Sequence, residues 1–274
     1  MGFFEVKNKY TLADIPLLVR RLRDPQDGCA WDKVQTHETI RQNFLEEACE
    51  AMDAIDRKDT YALCEELGDV LLQVSLHSEM EREQGNFDID GVADMLCKKL
   101  VLRHPHIFGD VQADDAEQVL KNWEDIKRVE KSQKTGSDAI EAVPKALPAL
   151  MRSQKVQKRA AYVGFDYENV NQAMGDLRSE VEELSAAIAG EGDVFEELGD
   201  VLFSAVNVAR FAHVDSELAL TRACDKFAAR FKETERLAAE RGIDMTGADL
   251  DTLNALWAQS KLNLSNNKET TEND

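Results

Sequence analysis

The 274-residue chain has few residues that interrupt helices and few that build covalent frameworks. It contains only 5 prolines and 14 glycines, while residues that favour helices, such as Ala, Leu, Glu, Lys and Arg, dominate. Its cysteines are odd in number and form no Cys-x-x-Cys pair, which argues against a disulfide framework and a zinc-thiolate site. We expect reduced cysteines, mostly in the core of a helical protein: Cys29, Cys49, Cys64, Cys97 and Cys224.

Positive charge is also scarce. The chain has 33 Lys and Arg against 53 Asp and Glu, a net charge of −20, which disfavours a broad electrostatic grip on nucleic acid or on an anionic membrane. An anionic substrate would therefore need a bridging cation. The start, MGFFEVKNKY, lacks the pattern of a secretory signal, and no stretch approaches the roughly 20 apolar residues that a membrane span needs. We expect a soluble cytoplasmic protein.

The apolar residues recur at helical spacing, as in Val70, Leu71 and Val74, where a strand would alternate strictly. The fold class is therefore predicted as all-α. Helices are predicted at about residues 11–23, 36–57, 60–84, 90–103 and 114–134, and then at 148–162, 170–189, 194–212, 216–241 and 249–262.

The same pattern predicts the domain organisation. An N-terminal domain at 1–134 and a C-terminal domain at 151–263 are separated by a polar, proline-containing linker at 135–150. The last stretch, 264–274, is polar and lacks periodicity, so we expect a disordered tail.

An internal repeat decides the architecture. The segment Glu65-Glu66-Leu67-Gly68-Asp69-Val70-Leu71 recurs letter for letter 131 positions later, as Glu196-Glu197-Leu198-Gly199-Asp200-Val201-Leu202. The repeat predicts a tandem pair of four-helix units. The other recurring pairs are Trp31-Asp32 with Phe165-Asp166, Glu47 with Glu180, Glu50 with Glu183, Lys99 with Lys226, Arg103 with Arg230, Trp123 with Trp257, and Lys127 with Lys261.

The repeated carboxylates have the spacing of a metal site. Residues three apart share a helix face, so Glu47 points with Glu50, and Glu66 points with Asp69. Two facing helices would bring these four carboxylates together, where they repel one another unless a cation binds. All-carboxylate ligation suits Mg²⁺ or Mn²⁺. A di-iron bundle would show Glu-x-x-His instead, so iron is disfavoured.

The alternative interpretation is that such acids form a solvated helix face, as isolated Glu-x-x-Glu pairs usually do. Here the pairs occur twice in each copy and in both copies, and Glu-Leu-Gly-Asp lies directly beside an apolar stripe. Because the repeated acidic pairs and the adjacent apolar stripe agree, we favour the metal site.

Basic and aromatic residues recur with the acids. Lys226, Arg230 and Lys261 would supply positive charge for phosphate groups, and Trp257 would stack on a base. Each alone is typical of surface or core, but they recur in the first copy as Lys99, Arg103, Lys127 and Trp123.

The motifs then resemble a known family. LEEACEAMDA followed by CEELGDVLLQ, and SEVEELSAAI followed by FEELGDVLFS, are similar to the acidic motif of MazG-type all-α pyrophosphohydrolases. RLRDPQDGCAWDKVQTHETI, RHPHIFGD and LPALMRSQKVQKRAAYVGFDY resemble two-domain bacterial members in order and spacing. The likeness covers about residues 11–262.

The resemblance implies a Mg²⁺-dependent hydrolase that cleaves nucleoside triphosphates between the α and β phosphates, with broad, house-cleaning specificity. It implies a homodimer and a C-terminal copy that carries most of the hydrolysis. By motif match, Glu180, Glu183, Glu197 and Asp200 would be catalytic and would hold magnesium with Glu196 nearby, while Lys226, Arg230, Trp257 and Lys261 would bind the nucleotide. The equivalents in the first copy are Glu46, Glu47, Glu50, Glu66, Asp69, Lys99, Arg103, Trp123 and Lys127.

One position departs from the pattern. Where the first copy has Glu46, the second has Ser179, which leaves open how many metal ions the second site holds. Two other functions remain open at this point: a pyrophosphatase of narrower specificity, and a regulatory protein that binds nucleotides or a partner without turnover.

Overall fold

A computed structural model describes residues 4–112, 115–131 and 133–271. In these ranges the regular structure is helical and contains no strand, so the all-α prediction is confirmed. Two 3₁₀ turns, Leu12–Asp14 and Asp32–Val34, flank the first helix. The helices are α1 Ile15–Leu22, α2 Arg41–Asp56, α3 Thr60–Glu83, α4 Ile89–Arg103, α5 Pro105–Phe108, α6 Ala116–Glu130, α7 Gly136–Glu141, α8 Ala149–Tyr162, α9 Val170–Ile188, α10 Val194–Phe211, α11 Ser216–Glu240 and α12 Leu250–Thr271.

Local capping explains where the central helices begin and end. The side chains of Asp59, Asp193 and Asp215 accept hydrogen bonds from backbone N–H groups in the first turns of α3, α10 and α11, which satisfies donors that have no partner within the helix. Gly85 and Gly190 follow α3 and α9 with φ of +79° and +103°. This left-handed conformation ends a helix and suits glycine.

The chain divides into two compact units between Lys127 and Arg128. In the first, α2 and α3 form a helical hairpin and α1 packs on α3. A buried core cluster at this packing consists of Val19, Ile40, Leu76 and Met80. The hairpin and its supporting helix position the acidic segments of the first copy.

The second unit repeats this arrangement. The helices α9 and α10 form the equivalent hairpin, and α8 packs on α10 as α1 packs on α3. A second hairpin, α11 and α12, buries Leu237, Ala238 and Leu256. The tandem repeat seen in the sequence is therefore present as repeated helical packing.

Helical residues occur in the two segments at which the sequence predicts a linker and a tail. The expected linker at 135–150 contains α7, which packs on α8 and contributes buried Ala139 and Val143 to the second unit. The expected tail at 264–274 continues α12 as far as Thr271, and its last three residues lie outside the described part. The helix expected at 114–134 spans Ala116–Glu130, and residues 114 and 132 also lie outside that part.

The prediction for the cysteines is wrong. They were expected mostly in the core, but all five are exposed. Apolar neighbours along α2 and α3, such as Leu45, Met52 and Leu67, are also more than half exposed. The faces that carry these side chains are therefore not covered by the packing of the first unit. Separately, none of the described helices is long and apolar enough to cross a membrane.

We predict that Leu76→Ala lowers the free energy of unfolding of the first unit by about 2–5 kcal/mol, because it leaves a cavity beside Val19 and Met80. Chemical denaturation followed by circular dichroism measures the change. Leu120→Ala, at a leucine that is 67% exposed, serves as the control and should change stability by less than about 0.5 kcal/mol. Equal effects of the two substitutions would contradict this core assignment.

Candidate metal centre

The first acidic cluster lies where α2 faces α3. Glu47 of α2 meets Glu66 and Asp69 of α3, and one carboxylate oxygen from each lies within 4.8 Å of the other two. The three-residue spacing of Glu66 and Asp69 puts both on the side of α3 that faces Glu47. All three side chains are partly buried.

The pKa values of two carboxyl groups in the first cluster are raised. Burial raises the pKa of Glu47, and the charges of Asp69 and Glu50 raise it further. Burial also raises the pKa of Glu66, with Glu50 as the largest charged contributor. These shifts indicate carboxylates that lose water and gain like-charged neighbours, so a cation bound among them would be stabilised.

An amide borders this cluster. Gln73 is 5% exposed, and its Nε2 donates to Glu47 Oε1 at 3.5 Å. Its Oε1 is buried without a hydrogen-bond partner among the described residues. A buried unpaired carbonyl oxygen beside carboxylates adds a further hard oxygen donor to the neighbourhood.

The second cluster is built in the same place on α9 and α10. Glu180 and Glu183 of α9 meet Glu197 of α10, again with one oxygen from each within 4.8 Å of the others. Burial raises the pKa of Glu180, followed by the charge of Glu183. The pKa of Glu197 is raised by burial and then by Glu183 and Asp200.

The remaining acids of the motif lie at the edges of these clusters. Glu50 and Asp200 are outside the two compact triplets but act on them electrostatically, as the pKa shifts of Glu66 and Glu197 indicate. The other two edge residues, Glu46 and Glu196, are exposed.

A hydroxyl occupies the position that departs from the repeat. The Ser179 Oγ donates to Glu183 Oε1 at 3.1 Å. A neutral donor there orients one of the second cluster's carboxylates, where the first copy has the additional charge of Glu46.

Sequence reasoning missed a supporting group of side chains in the C-terminal copy. Ser204 Oγ donates to Asp176 Oδ2 at 2.7 Å. The pKa of Tyr167 is raised to about 12 by burial and then by its hydrogen bond to Asp176. Asp176 also helps to raise the pKa of Glu180, four residues later on the same face.

The signal for this group was present in the sequence. The first copy has Asn43 in the place of Asp176 and Gln73 in the place of Ser204. A comparison that looks only for residues shared by the copies cannot select positions at which they differ. Helical spacing from Glu180 points to Asp176 directly.

The basic residues of the second copy lie on a separate helical hairpin, α11 and α12. Lys226, Arg230 and Lys261 form no ion pair within the part of the chain that the structure describes, and the Lys226 and Lys261 side chains are exposed. The ring of Trp257 lies 5.1 Å from that of Phe227. Among the described residues, no hydrogen bond or ion pair joins this basic group to the carboxylates of the second cluster.

In the first copy the equivalent residues contact one another. Arg103, 7% exposed, lies over the Trp123 ring at 5.4 Å, and the His104 ring meets the edge of that tryptophan at 4.8 Å. Lys127 Nζ is 3.5 Å from Glu124 Oε1. Trp123 therefore already has a cationic partner on its ring. The fourth equivalent, Lys99, is partly buried on α4.

The donor set of both clusters fits a hard divalent cation. Each triplet is made only of carboxylate oxygens, and burial followed by like-charged neighbours raises the pKa values of Glu47 and Glu180. Oxygen-only ligation suits Mg²⁺ and Mn²⁺ better than zinc or copper.

Comparison with known proteins agrees with this geometry. Residues 35–108 and 168–234 match the MazG nucleotide pyrophosphohydrolase domain, and these two ranges contain both acidic hairpins. The chain is 44% identical to the nucleoside triphosphate pyrophosphohydrolase of Escherichia coli strain K12 over 248 residues, which is 89% of this chain and 94% of that protein.

Two further relatives extend the likeness. The nucleoside triphosphate pyrophosphohydrolase/pyrophosphatase MazG of Thermotoga maritima is 40% identical over 244 residues, 89% of this chain and 93% of the relative. The uncharacterized protein YabN of Bacillus subtilis is 44% identical over 247 residues, 89% of this chain but 50% of that protein. With two domain matches that coincide with its two carboxylate clusters, the chain belongs to the MazG nucleotide pyrophosphohydrolase family.

Proposed function

We propose that this protein hydrolyses nucleoside triphosphates, both ribo and deoxyribo, between the α and β phosphates, and so releases a nucleoside monophosphate and pyrophosphate. The observation that carries the proposal is the pair of carboxylate triplets, each built on a helical hairpin within a matched domain. The names of the Escherichia coli and Thermotoga maritima relatives support the reaction class.

The chemistry requires a cation, for which we propose Mg²⁺, with Mn²⁺ as an alternative. Such a cation would supply positive charge to neutralise the charge that develops on the triphosphate. The residues that would hold it in the second copy are Glu180, Glu183, Glu197 and Asp200, with Glu196 at the edge. In the first copy the equivalent residues would be Glu47, Glu50, Glu66 and Asp69.

The carboxylates have a second role as proton acceptors. The attacking water must lose a proton as it reaches the α-phosphorus, and a carboxylate with a raised pKa is a stronger acceptor than an ordinary one. Glu180 and Glu197 both have raised pKa values. We propose that a cluster carboxylate takes this proton, while the charge of Asp176, which Ser204 holds in place, helps to keep the pKa of Glu180 raised.

The cations of the second copy complete the proposal. Lys226, Arg230 and Lys261 would neutralise phosphate oxygens that the metal leaves exposed, and Trp257 would stack on the base. These residues lie on α11 and α12, whereas the carboxylates lie on α9 and α10. A bound nucleotide would therefore contact both hairpins. The same roles would fall to Lys99, Arg103, Lys127 and Trp123 in the first copy.

The products test the proposed bond cleavage. With Mg²⁺ and ATP, we predict AMP and pyrophosphate in equal amounts, measured by anion-exchange chromatography. ADP and orthophosphate would contradict the assigned bond. Nucleotide-dependent stabilisation without any product would favour a regulatory binding protein, and activity on a single member of a triphosphate panel would favour a narrow pyrophosphatase.

Variants in the same assay test the division between copies. Glu197→Gln should lower kcat by roughly 100-fold or more, because it removes a ligand charge that supports the cation in the transition state, while Glu66→Gln should leave most activity. Glu182→Gln is a matched control, since Glu182 is an exposed carboxylate between two cluster residues on α9. Loss of activity in Glu66→Gln but not in Glu197→Gln would reverse the assignment.

Metal binding should depend on pH. The raised pKa values of Glu180 and Glu197 mean that the folded protein still holds protons above the ordinary value of 4.5, where the unfolded chain has released them. Ionisation of the metal-free clusters therefore opposes folding as pH rises through these values. A cation that binds the ionised clusters removes this penalty.

We predict that Mg²⁺ raises Tm by several degrees at about pH 8 and by much less at about pH 5, as expected for a ligand that binds the deprotonated native state. Differential scanning fluorimetry with and without Mg²⁺ measures the shift. The double variant Glu66→Gln/Glu197→Gln should lose most of the shift at the higher pH. A Tm shift of the same size at both pH values would refute the coupling between Mg²⁺ binding and deprotonation of the carboxylates.

We further propose that the protein is a cytoplasmic homodimer. Apolar side chains at helical spacing are exposed on α9 and α10, including Ile188 at 69% and Phe195 at 88%. A second copy that covers these faces would bury them, since large exposed apolar patches mark interfaces. Five exposed free cysteines fit a reducing compartment.

Size-exclusion chromatography with light scattering should give twice the mass of one chain. Ile188→Glu should shift the protein toward the monomer, because it places a charge in the proposed interface. Val129→Glu, at a valine that is 81% exposed on α6, should leave the mass unchanged. A wild-type monomer at micromolar concentration would refute the dimer.

A further inference from the structure

A groove in the first unit is not accounted for by the carboxylate chemistry. It lies between α1, the connection at 24–34 and the C-terminal half of α3, and its volume is about 1000 Å³. The connection belongs to the motif RLRDPQDGCAWDKVQTHETI. None of the residues that line the groove belongs to the acidic cluster of the first copy.

The groove has a small excess of positive charge in a strongly acidic protein. Its lining includes five cationic and four acidic side chains, in a chain of net charge −20. The cations are Arg20, Arg21, Arg23, Lys33 and Arg82, and the acids are Asp24, Asp27, Glu79 and Glu83.

Three of the four acids are already engaged. Glu79, 5% exposed, accepts two hydrogen bonds from Arg82 at 2.8 and 2.6 Å. Glu83 accepts two from Arg23, both at 2.9 Å. The third, Asp24, accepts hydrogen bonds from two backbone N–H groups of the following turn. The pair of Arg23 and Glu83 joins the end of α1 to α3, while the other two acids are satisfied within their own segments.

Three of the cations keep uncommitted donors. Arg20 approaches Glu79 only at 3.5 Å and makes no hydrogen bond within the described residues, and half of its side chain is exposed. Arg21 and Lys33 form neither an ion pair nor a side-chain hydrogen bond there. Two guanidinium groups and one ammonium group thus line one cavity with their N–H donors available.

This combination fits a phosphorylated small molecule. Guanidinium groups bind phosphate oxygens in a fork, and an ammonium group adds a point charge. The apolar side chains of Leu17, Pro25 and Val34 line the same cavity, which gives an attached ring or sugar a surface to pack against. A cavity of this volume is at the upper end of ordinary ligand sites.

The connection that builds the groove is particular to the first copy. In that copy residues 23–40 connect α1 to α2, whereas only residues 163–169 connect α8 to α9. The long connection supplies Asp24, Pro25, Lys33 and Val34 to the groove. The groove is therefore a feature that the first copy has in addition to the shared acidic hairpin.

We propose that this groove is a second anion site, which binds a diphosphate group, free or carried by a nucleotide, through Arg20, Arg21 and Lys33 without a divalent cation. It is distinct from the carboxylate clusters, which repel phosphate unless a cation bridges them. The site gives the first copy a ligand-binding role that does not depend on hydrolysis.

The test is isothermal titration calorimetry of the full chain with inorganic pyrophosphate, and separately with ADP, in EDTA at low salt. Wild-type protein should bind one ligand per chain. Arg21→Gln/Lys33→Gln should weaken binding by about tenfold or more, because it removes two charge-assisted interactions with the diphosphate. Tighter binding of ADP than of pyrophosphate would identify the nucleotide as the source of the diphosphate, and the reverse order would identify the free anion.

The control variant Lys9→Gln/Arg57→Gln removes the same two charges from exposed positions outside the groove and should bind like the wild type. Glu66→Gln/Glu197→Gln should also retain binding, which separates this site from the hydrolytic ones. Circular dichroism checks that each variant is folded. The proposal is overturned if wild-type protein binds neither ligand in EDTA, or if both charge-removal variants weaken binding equally.

Discussion

Mutual repulsion among carboxylates is the constraint around which both copies are organised. Three acids whose oxygens lie within 4.8 Å of one another oppose folding unless protons or a cation reduce their charge. The helical hairpins hold them together regardless, because caps, buried core residues and a supporting helix fix each pair of helices. Stability elsewhere in the fold thus maintains a site of high negative charge, and this charge is the basis on which we propose that a divalent cation binds there.

Both copies have a carboxylate cluster on a helical hairpin, but the residues around the cluster differ. In the first copy the neutral amide of Gln73 contacts Glu47, whereas in the second the Ser204 and Asp176 pair adds another carboxylate beside Glu180. A serine hydroxyl then donates to a cluster glutamate of the second copy, in the place where the first copy has an acid. The third member of the triplet also differs, because Asp69 belongs to the first and Glu183, the equivalent of Glu50, belongs to the second. These differences are consistent with the unequal roles that we propose for two sites with similar motifs.

Charge outside the clusters is distributed just as unevenly. Across a chain of net charge −20, the groove beside α1 gathers five cations and uses most of its acids internally. In the second unit the exposed cations Lys226 and Lys261 lie on the α11–α12 hairpin instead. Exposed positive charge is therefore confined to a few defined places in an acidic chain, and a general affinity for anions is not expected.

The sequence by itself determined the helical class, the duplication and the pairing of acids, because helical periodicity and exact recurrence are local properties that can be read without coordinates. Glu66 and Asp69 could be assigned to one helix face from their spacing alone. Tertiary structure decided that Glu47 reaches the same point from another helix, that Glu50 stays outside the triplet yet acts on Glu66 through its charge, and that the cysteines are exposed. Tertiary structure also forms the groove. The cations of the groove come from α1, the following connection and α3, which meet only when these segments pack together.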